Sequence, residues 1–574
     1  MFDALIHSAR VIDGSGAAAF TADVAIREGV IAAVGQLAGA AAVEVIEADG
    51  RVLTPGFIDI HRHADAALFR DGFGAAELSQ GLTTLINGNC GLSMAPVTGK
   101  HAEETVRYLA PITGEISQKL RFASLKDYFQ AAEERKLPLH NAMLIGMGTL
   151  RTLVSGFAAG DLDLQQEREL HYYMEQALAD GALGVSLGLG YAPEIFYSTD
   201  GLIRALAPLY ESGVPLTVHM RQEGDGVVES LREMLLVGKA LKTPLEISHL
   251  KAIGTRNWRK AVPEMLRLIE QAREDGVDVS CDVYPYAAGS TQLIHVLPPE
   301  FQEGGTDRLI AALQSEDARR EMKRRMQTGS DFENITELVG FENVIATGLR
   351  RAENRPYEGW SVGRIAQQLG KDPYDALFDL LAQEACMTTM IDFIAHEDDI
   401  REILQKPYSG VISDATYPSA GLLHPRVYGT FARLVEKYVV KEKCLTLEQA
   451  VHKVTRQPAD RFGLAQKGRI EVGADADLLL FDPTHVRENG TYQKPDVFAS
   501  GFDYVFVSGE AAVAGAGLPG NAAAQCCAEQ GKRVRNGTCE KKIHRPVAQR
   551  AVRDPQAPQC GFYCGAGVPL SGYR

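Results

Sequence analysis

Short strand-like runs that alternate with amphipathic helical stretches constrain the fold of this chain more than any other feature. Eight such runs occur in the middle of the sequence, at residues 57–61, 83–87, 142–147, 183–189, 216–220, 245–249, 277–283 and 410–414. Strands separated by helices form parallel sheets, and eight repeats favour a closed barrel over an open sheet. The pattern therefore predicts an α/β fold with a (β/α)8 TIM-like barrel.

The two ends of the chain have a different pattern. Residues 1–55 alternate apolar and polar positions in short runs, and matching runs return at 476–481 and 504–507. Such alternation with turn signals between the runs is typical of antiparallel strands. We therefore predict a small β-sandwich made of residues 1–55 and 466–515, with the barrel, residues 56–465, inserted between its two parts.

Two further segments depart from the barrel pattern. Residues 298–346 are charged and helical and too long for a simple loop, which predicts a lid or a small inserted domain before the last strand. Residues 516–574 turn basic and lose apolar periodicity, which predicts a disordered tail, with a zinc-binding tail module as the alternative. This tail contains five of the nine cysteines: Cys526, Cys527, Cys539, Cys560 and Cys564.

Composition excludes several classes of partner. The formal net charge of -15 argues against a nucleic-acid or anionic-membrane surface, because phosphates are met by clustered Lys and Arg. We find neither a secretory signal nor a run of about 18 apolar residues. The sequence therefore predicts a cytoplasmic protein with a small-molecule substrate, and it leaves the oligomeric state open.

The ends of the predicted barrel strands carry the candidate catalytic and metal-binding residues. Active residues of such barrels project from the C-terminal ends of different strands. Here those ends carry His61 and His63, Cys90, His219, His249, Tyr284 and Asp414. A single His or Cys on an apolar strand is more often a core residue, but N, S and O donors on several strands form a set suited to zinc. His61 and His63 are two apart and so point to the same side of a strand.

Several motifs resemble a known family. The stretches PGFIDIHRH (55–63), GLTT (81–84) and GRI to AD (468–477) look like the amidohydrolase superfamily. Within it, NGNCG (87–91), SHLK (248–251) and DVYPY (282–286) resemble the N-acyl-D-amino-acid deacylases, or D-aminoacylases. The resemblance covers about residues 3–510.

This resemblance implies roles for the donor residues. Cys90, His219 and His249 would hold a tightly bound zinc ion, and His61, His63 and Asp414 would form a weaker neighbouring position. The fourth run, at 183–189, contains no Lys, whereas hydantoinases and dihydroorotases resemble one another in using a carboxylated Lys there. Cys90 can supply the missing anionic donor, which disfavours the cyclic-amide hydrolases.

The expected mechanism follows from zinc chemistry. A bound zinc ion lowers the pKa of water to roughly 7 and polarises an amide carbonyl, and Asp414 is then the natural general base. Asp414 could instead be a zinc ligand alone. The family pattern implies that Arg426, together with Tyr284 and Lys251, binds the α-carboxylate of the substrate. His295 lies near the position where relatives that act on acyl-D-glutamate or acyl-D-aspartate have an Arg, which weakens the case for an acidic substrate.

The sequence thus predicts zinc-dependent hydrolysis of N-acyl-D-amino acids to a carboxylate and a free D-amino acid. The D configuration rests on the resemblance, because pocket handedness is a three-dimensional property. The alternatives are another amidohydrolase acting on a cyclic amide or a dipeptide, and a barrel scaffold that has lost catalysis. The side-chain preference, the acyl length and the occupancy of the second metal position stay open.

Overall fold

The computed structural model of the chain describes residues 1–115, 121–329 and 331–515, so the predicted tail, residues 516–574, lies outside the described residues. The strands within these ranges are β1 (Phe2–Val11), β2 (Phe20–Arg27), β3 (Val30–Gly35), β4 (Ala42–Glu47), β5 (Val52–Pro55), β6 (Phe57–Asp59), β7 (Leu82–Asn87), β8 (His140–Met143), β9 (Ile145–Gly146), β10 (Val185–Gly188), β11 (Leu216–His219), β12 (Leu245–Ile247), β13 (Val279–Val283), β14 (Ala288–Gln292), β15 (Val344–Thr347), β16 (Thr389–Phe393), β17 (Ser409–Val411), β18 (Leu478–Phe481), β19 (Phe502–Val507) and β20 (Glu510–Ala514).

Helices cover the outside of the barrel and make up much of the inserted segment. They are α1 (Ala75–Ser79), α2 (Ala102–Thr113), α3 (Leu125–Arg135), α4 (Met147–Ser155), α5 (Leu164–Asp180), α6 (Thr199–Ala205), α7 (Val227–Leu241), α8 (Ala261–Glu274), α9 (Thr306–Gln314), α10 (Glu316–Thr328), α11 (Ile335–Val339), α12 (Val362–Leu369), α13 (Pro373–Gln383), α14 (Glu397–Leu404), α15 (Arg426–Arg433), α16 (Leu447–Val454) and α17 (Arg456–Arg461). Among the helices in the described ranges, none has both the length and the apolar character needed to span a bilayer.

The prediction of an eight-stranded parallel barrel is confirmed. Its strands pair in the order β6-β7-β8 and β9-β10-β11-β12-β13-β17, all parallel. β8 and β9 are one strand interrupted at Leu144, whose N–H donates to the carbonyl oxygen of Asn87 at 2.8 Å. Every predicted run overlaps one of these strands. The strands are buried on both faces, as in β7, and this burial explains why they are nearly continuous apolar runs in the sequence.

The barrel closes between its first and last strands, just beyond their C-terminal ends. The N–H of Asp414 donates to the carbonyl oxygen of His61 at 2.9 Å, and the N–H of His63 donates to that of Ala415 at 3.0 Å. Closure therefore places two of the candidate ligands from the first strand beside Asp414 from the last.

The small β domain is built from both ends of the chain, as predicted. Its strands are hydrogen-bonded into one sheet of order β20-β19-β18-β5-β1-β2-β3, with β4 also paired to β1, rather than into two separate sheets. Apolar side chains of both chain ends, such as Ile6, Val24 and Leu480, form a buried cluster of their own. The domain therefore has a core separate from that of the barrel.

The segment inserted between β13 and β17 is larger than the sequence predicts. Helices α9, α10 and α11 lie within the predicted range 298–346, but the segment also contains an antiparallel sheet of order β14-β16-β15. The sheet escapes prediction because β14 reads Ala-Gly-Ser-Thr-Gln, and Gly and Ala are poor strand formers. The sheet lies next to the end of the barrel strand that carries Tyr284, because β14 follows shortly after β13.

A buried guanidinium stabilises the barrel seam, the junction between the first strand, β6, and the last strand, β17. Arg62 is fully buried, and its guanidinium contacts Asp59 of β6 at 3.2 Å, Glu77 of α1 at 2.7 Å and Ser413 at 3.1 Å. It also donates to the hydroxyl of Tyr417, which follows β17. Arg62 thus ties the first strand, the first helix and the last strand end into one network.

Removing this guanidinium should strongly destabilise the protein. Arg62→Met keeps most of the side-chain volume but leaves Asp59 and Glu77 buried without their cation, which typically costs about 3–5 kcal/mol of unfolding free energy. The measurement is chemical denaturation of the metal-free protein. Arg320→Met is the control, because the ion pair of Arg320 with Asp317 is exposed and such pairs contribute little to stability. Equal stability of the two variants would show that the network does not hold the seam.

Candidate metal centre and active site

Six donor side chains meet at the C-terminal end of the barrel. The donor atoms of His61, His63, Cys90 and Asp414 lie within 4.8 Å of one another, and so do those of Cys90, His219 and His249. All six are buried, and Asp414 keeps the largest exposed fraction, 8 %. The structure therefore brings together every residue that the sequence predicts as a ligand, with Cys90 common to both groups.

The distances between donors are short. The Cys90 Sγ atom lies 3.2 Å from His61 Nε2 and 3.6 Å from His249 Nε2. His219 Nδ1 lies 3.0 Å from His249 Nε2. Imidazole, thiolate and carboxylate are the donor types that zinc takes, so the residues present fit this ion.

Three of these residues have an unusual backbone conformation. Cys90, His249 and Asp414 have φ values of 52°, 37° and 50°, in the left-handed region. This conformation costs L-residues about 1–2 kcal/mol each, and such strain is concentrated at functional sites. Each residue lies just beyond the C-terminal end of a barrel strand. The left-handed backbone turns the chain there, at the level of the donor cluster.

Steric constraints explain the glycine at position 88, two residues before Cys90. Gly88 has a positive φ of 78°, and a Cβ atom there would collide with the carbonyl oxygen of Leu144. The turn that presents Cys90 thus packs directly against the interrupted strand β8–β9. Only glycine meets both requirements at this position.

Burial decides the protonation of the donors. It lowers the pKa of His61, His219 and His249 well below the ordinary value, so these imidazoles are neutral, as metal ligation requires. Burial raises the pKa of the Cys90 thiol well above its ordinary value. A metal ion must therefore displace a proton from Cys90 when it binds.

Asp414 is ionised although it is buried. Burial raises its pKa, but the nearby Arg426 guanidinium and a hydrogen bond from His63 outweigh this effect and hold the pKa well below its ordinary value. Arg426 Nη1 lies 3.0 Å from Asp414 Oδ2, and His63 Nε2 lies 3.2 Å from Asp414 Oδ1. His61 Nε2 also lies 3.4 Å from Asp414 Oδ1, so the carboxylate has one cation and two imidazoles as neighbours.

The predicted substrate-binding residues lie at different distances from the donors. Arg426 is fully buried next to Asp414, and its guanidinium lies over the ring of Tyr284 at 4.9 Å. Lys251 Nζ lies 2.9 Å from His249 Nδ1 and 5.7 Å from the Tyr284 ring centroid. His295 is not among the donors.

His295 contacts the donor cluster through an aromatic ring. It packs on Tyr191 with ring centroids 4.1 Å apart, and the Tyr191 hydroxyl lies 3.2 Å from His219 Nδ1. Burial lowers the pKa of His295 to about 3, so it is neutral. His295 therefore offers no positive charge to a substrate.

Glu223, which the sequence did not predict, contacts the donor cluster through His249 and also contacts Lys251. Glu223 is 1 % exposed, and its carboxylate accepts from His249 Nδ1 at 3.0 Å and pairs with Lys251 Nζ at 2.6 Å. Metal-binding histidines commonly donate their second ring nitrogen to a carboxylate, which fixes the ring orientation. The available signal was an acid four residues after the strand-end His219, but that signal is weak because Glu223 lies in a loop.

The comparison with known proteins assigns the family. A sequence profile described as the amidohydrolase family matches residues 44–325 and 347–513. The chain belongs to this family. The D-aminoacylase of Alcaligenes xylosoxydans xylosoxydans is 33% identical to this amidohydrolase over 511 residues, which cover 88% of the chain and 94% of the relative.

Two solved amidohydrolase structures are similar over nearly the whole chain. One is the N-acyl-D-glutamate deacylase from Bordetella bronchiseptica complexed with zinc and a phosphonate mimic of the tetrahedral intermediate, with a TM-score of 0.76 and 30% identity, covering 89% of this chain and 96% of that chain. The other is a D-aminoacylase with a binuclear metal centre that shows one-metal activation and second-metal attenuation, with a TM-score of 0.75 and 31% identity, covering 90% and 98%.

Glu223→Gln should weaken zinc binding. Glutamine removes the negative charge that pairs with Lys251 and polarises His249, and loss of such a partner typically costs about 10–100-fold in metal affinity. The measurement is competition for zinc with a chromophoric chelator, with the melting temperature of the metal-free variant measured in parallel. Glu229→Gln, on the exposed side of α7, makes the same charge change and is the control. Unchanged zinc affinity would remove Glu223 from any role at the metal centre.

Proposed function

We propose that this amidohydrolase hydrolyses the amide bond of N-acyl-D-amino acids to a carboxylate and a free D-amino acid. The D-aminoacylase and the N-acyl-D-glutamate deacylase described above support this substrate class. The D configuration comes to this chain from these relatives alone. The acyl amino acid itself has a separate support in the side chains around Asp414.

Arg426 carries this part of the proposal. Its Nη2 donates to the carbonyl oxygen of Ser290 at 2.9 Å, but Nε and Nη1 are buried and make no hydrogen bond within the described residues. Nη1 lies 3.0 Å from Asp414 Oδ2 without pointing at it in hydrogen-bonding geometry. Two N–H groups of this guanidinium are therefore left for acceptor atoms of a ligand, and a carboxylate is the acceptor with which they form the strongest, charge-assisted hydrogen bonds. The α-carboxylate of an acyl amino acid is such a group.

The donor cluster supports the metal assignment. We assign Cys90, His219 and His249 to a tightly bound zinc ion and His61, His63 and Asp414 to a weaker neighbouring position. The pairing of a strong and a weak site is supported by the D-aminoacylase in which a second metal attenuates activity. Zinc, when bound, supplies Lewis acidity that polarises the amide carbonyl and makes water more acidic.

Asp414 transfers the proton in this proposal. It is the most exposed of the six donors and lies beside Arg426, so it faces both the substrate and the attacking water. Asp414 takes a proton from the water as the C–O bond forms and gives it to the amine nitrogen as the C–N bond breaks, because an amine leaves poorly unless protonated. Arg426 and Tyr284 hold the acyl amino acid in place meanwhile.

The expectations about cellular location and macromolecular partners stay predictions from the sequence. They are a cytoplasmic location and the absence of nucleic-acid and membrane partners. The acidic composition supports the absence of nucleic-acid and anionic-membrane partners.

Arg426→Ala should impair hydrolysis of the acyl amino acid. Truncating one partner of a buried charge pair typically costs about 2–5 kcal/mol, so kcat/KM should fall by roughly 30-fold to several thousand-fold. The measurement is steady-state hydrolysis of an N-acetyl-D-amino acid by the zinc-loaded variant.

The control substrate is an acyl amine that lacks the α-carboxylate. It should be hydrolysed poorly by the wild type and scarcely worse by Arg426→Ala, because the missing partner is absent from both reactions. An equal loss on both compounds would mean that Arg426 acts through Asp414 or the metal centre. That result would also weaken the assignment of an amino-acid substrate.

A further inference from the structure

One buried carboxylate at the site has no part in the mechanism above. Asp392 lies on β16, directly opposite Gly289 of β14 in the antiparallel register, and is 2 % exposed. A Cβ atom on Gly289 would lie 2.8 Å from Ile394 Cδ1, 2.9 Å from Asp392 Oδ1 and 3.4 Å from the Tyr284 hydroxyl. Because Gly289 has no side chain, the Asp392 carboxylate and the Tyr284 hydroxyl border the same small space.

The Asp392 carboxylate lacks a donor on one side. Oδ1 is buried and has no hydrogen-bond partner among the described residues. Leaving a buried acceptor unsatisfied is costly, and such atoms in native structures call for an explanation. A group on a bound ligand that donates a hydrogen bond would satisfy it.

The two cations that act on Asp392 are already engaged elsewhere. Burial raises the pKa of Asp392 to about 6, while the charges of Lys251 and Arg426 lower it. Lys251 is paired with Glu223 at 2.6 Å, and Arg426 lies 3.0 Å from Asp414. Asp392 is therefore an extra negative group beside the proposed α-carboxylate site, and its charge opposes an acidic substrate side chain.

We infer that Asp392 is a specificity-determining residue that binds a cationic side chain of the acyl amino acid. The substrate class is then the N-acyl derivatives of D-amino acids with an amine or guanidinium side chain. A charge-assisted hydrogen bond from such a group satisfies Oδ1 and is stronger than a neutral one. This inference rests on the proposed function, because it takes the α-carboxylate to lie on Arg426 and Tyr284.

A substrate pair that differs by one charge tests the inference. Nα-acetyl-D-lysine and N-acetyl-D-norleucine share the acyl group, the α-carboxylate and the four-carbon chain, and only the lysine derivative carries an ammonium. The zinc-loaded, full-length protein should hydrolyse the lysine derivative with a kcat/KM at least about tenfold higher, as expected for a buried charge-assisted contact. N-acetyl-D-glutamate should be hydrolysed more slowly than the norleucine derivative.

The variant Asp392→Asn keeps the shape of the side chain and removes its charge. It should bring the ratio of the two kcat/KM values close to one. Asp317→Asn makes the same charge change on the exposed surface of α10 and should keep the wild-type ratio. If Asp392→Asn does not fold, the wild-type ratio alone decides.

Three results would overturn the inference. A wild type that hydrolyses the norleucine derivative as well as the lysine derivative contradicts the inference and leaves the proposed function intact. An equal loss on both substrates in Asp392→Asn shows that Asp392 contacts a part common to both, such as the amide N–H. No hydrolysis of any acetyl-D-amino acid refutes the proposed function and this inference together.

Discussion

The hydrogen bond from the N–H of Asp414 to the carbonyl oxygen of His61 closes the barrel, and the donor cluster depends on this closure. Closure joins the first and last strands at the level of the donors, so residues about 350 positions apart in sequence lie side by side. Arg62 lies immediately beneath and supports the seam through its buried ion pairs with Asp59 and Glu77. The side chain between the two strand histidines therefore stabilises the same closure that brings these histidines to Asp414.

Charge balance in a buried space is the second constraint. Burial keeps the imidazoles of His61, His219 and His249 neutral. Two cations compensate two carboxylates, with Lys251 paired to Glu223 and Arg426 to Asp414. An ionisable group buried at this depth without a partner would shift its pKa toward the neutral form or destabilise the fold. Asp392 is the acid next to these pairs whose Oδ1 has no partner within the described residues, and it thus links the electrostatics of the site to the choice of substrate.

The sequence predicts the barrel and the donors well, because both depend on local pattern. Buried strands are continuous apolar runs, and ligand-type residues at the ends of several of these runs mark the rim of the barrel. Glu223 and Asp392 could not be predicted in this way. Glu223 reaches His249 from a loop, and the direction of Asp392 depends on its antiparallel register with Gly289, which no periodicity in the sequence specifies. The inserted sheet escapes prediction because the Gly and Ala residues of β14 are poor strand formers.

A zinc titration tests most directly whether the donor cluster is a zinc-dependent active site that is specific for D compounds. Metal-free protein is titrated with zinc while the hydrolysis of Nα-acetyl-D-lysine and its L enantiomer is followed in parallel. Hydrolysis of the D compound should appear with zinc and reach its maximum at about one ion per chain, because the ligands of the tight site must be filled first. The L compound should be hydrolysed little. Full activity of the metal-free protein, or equal hydrolysis of both enantiomers, would contradict this assignment.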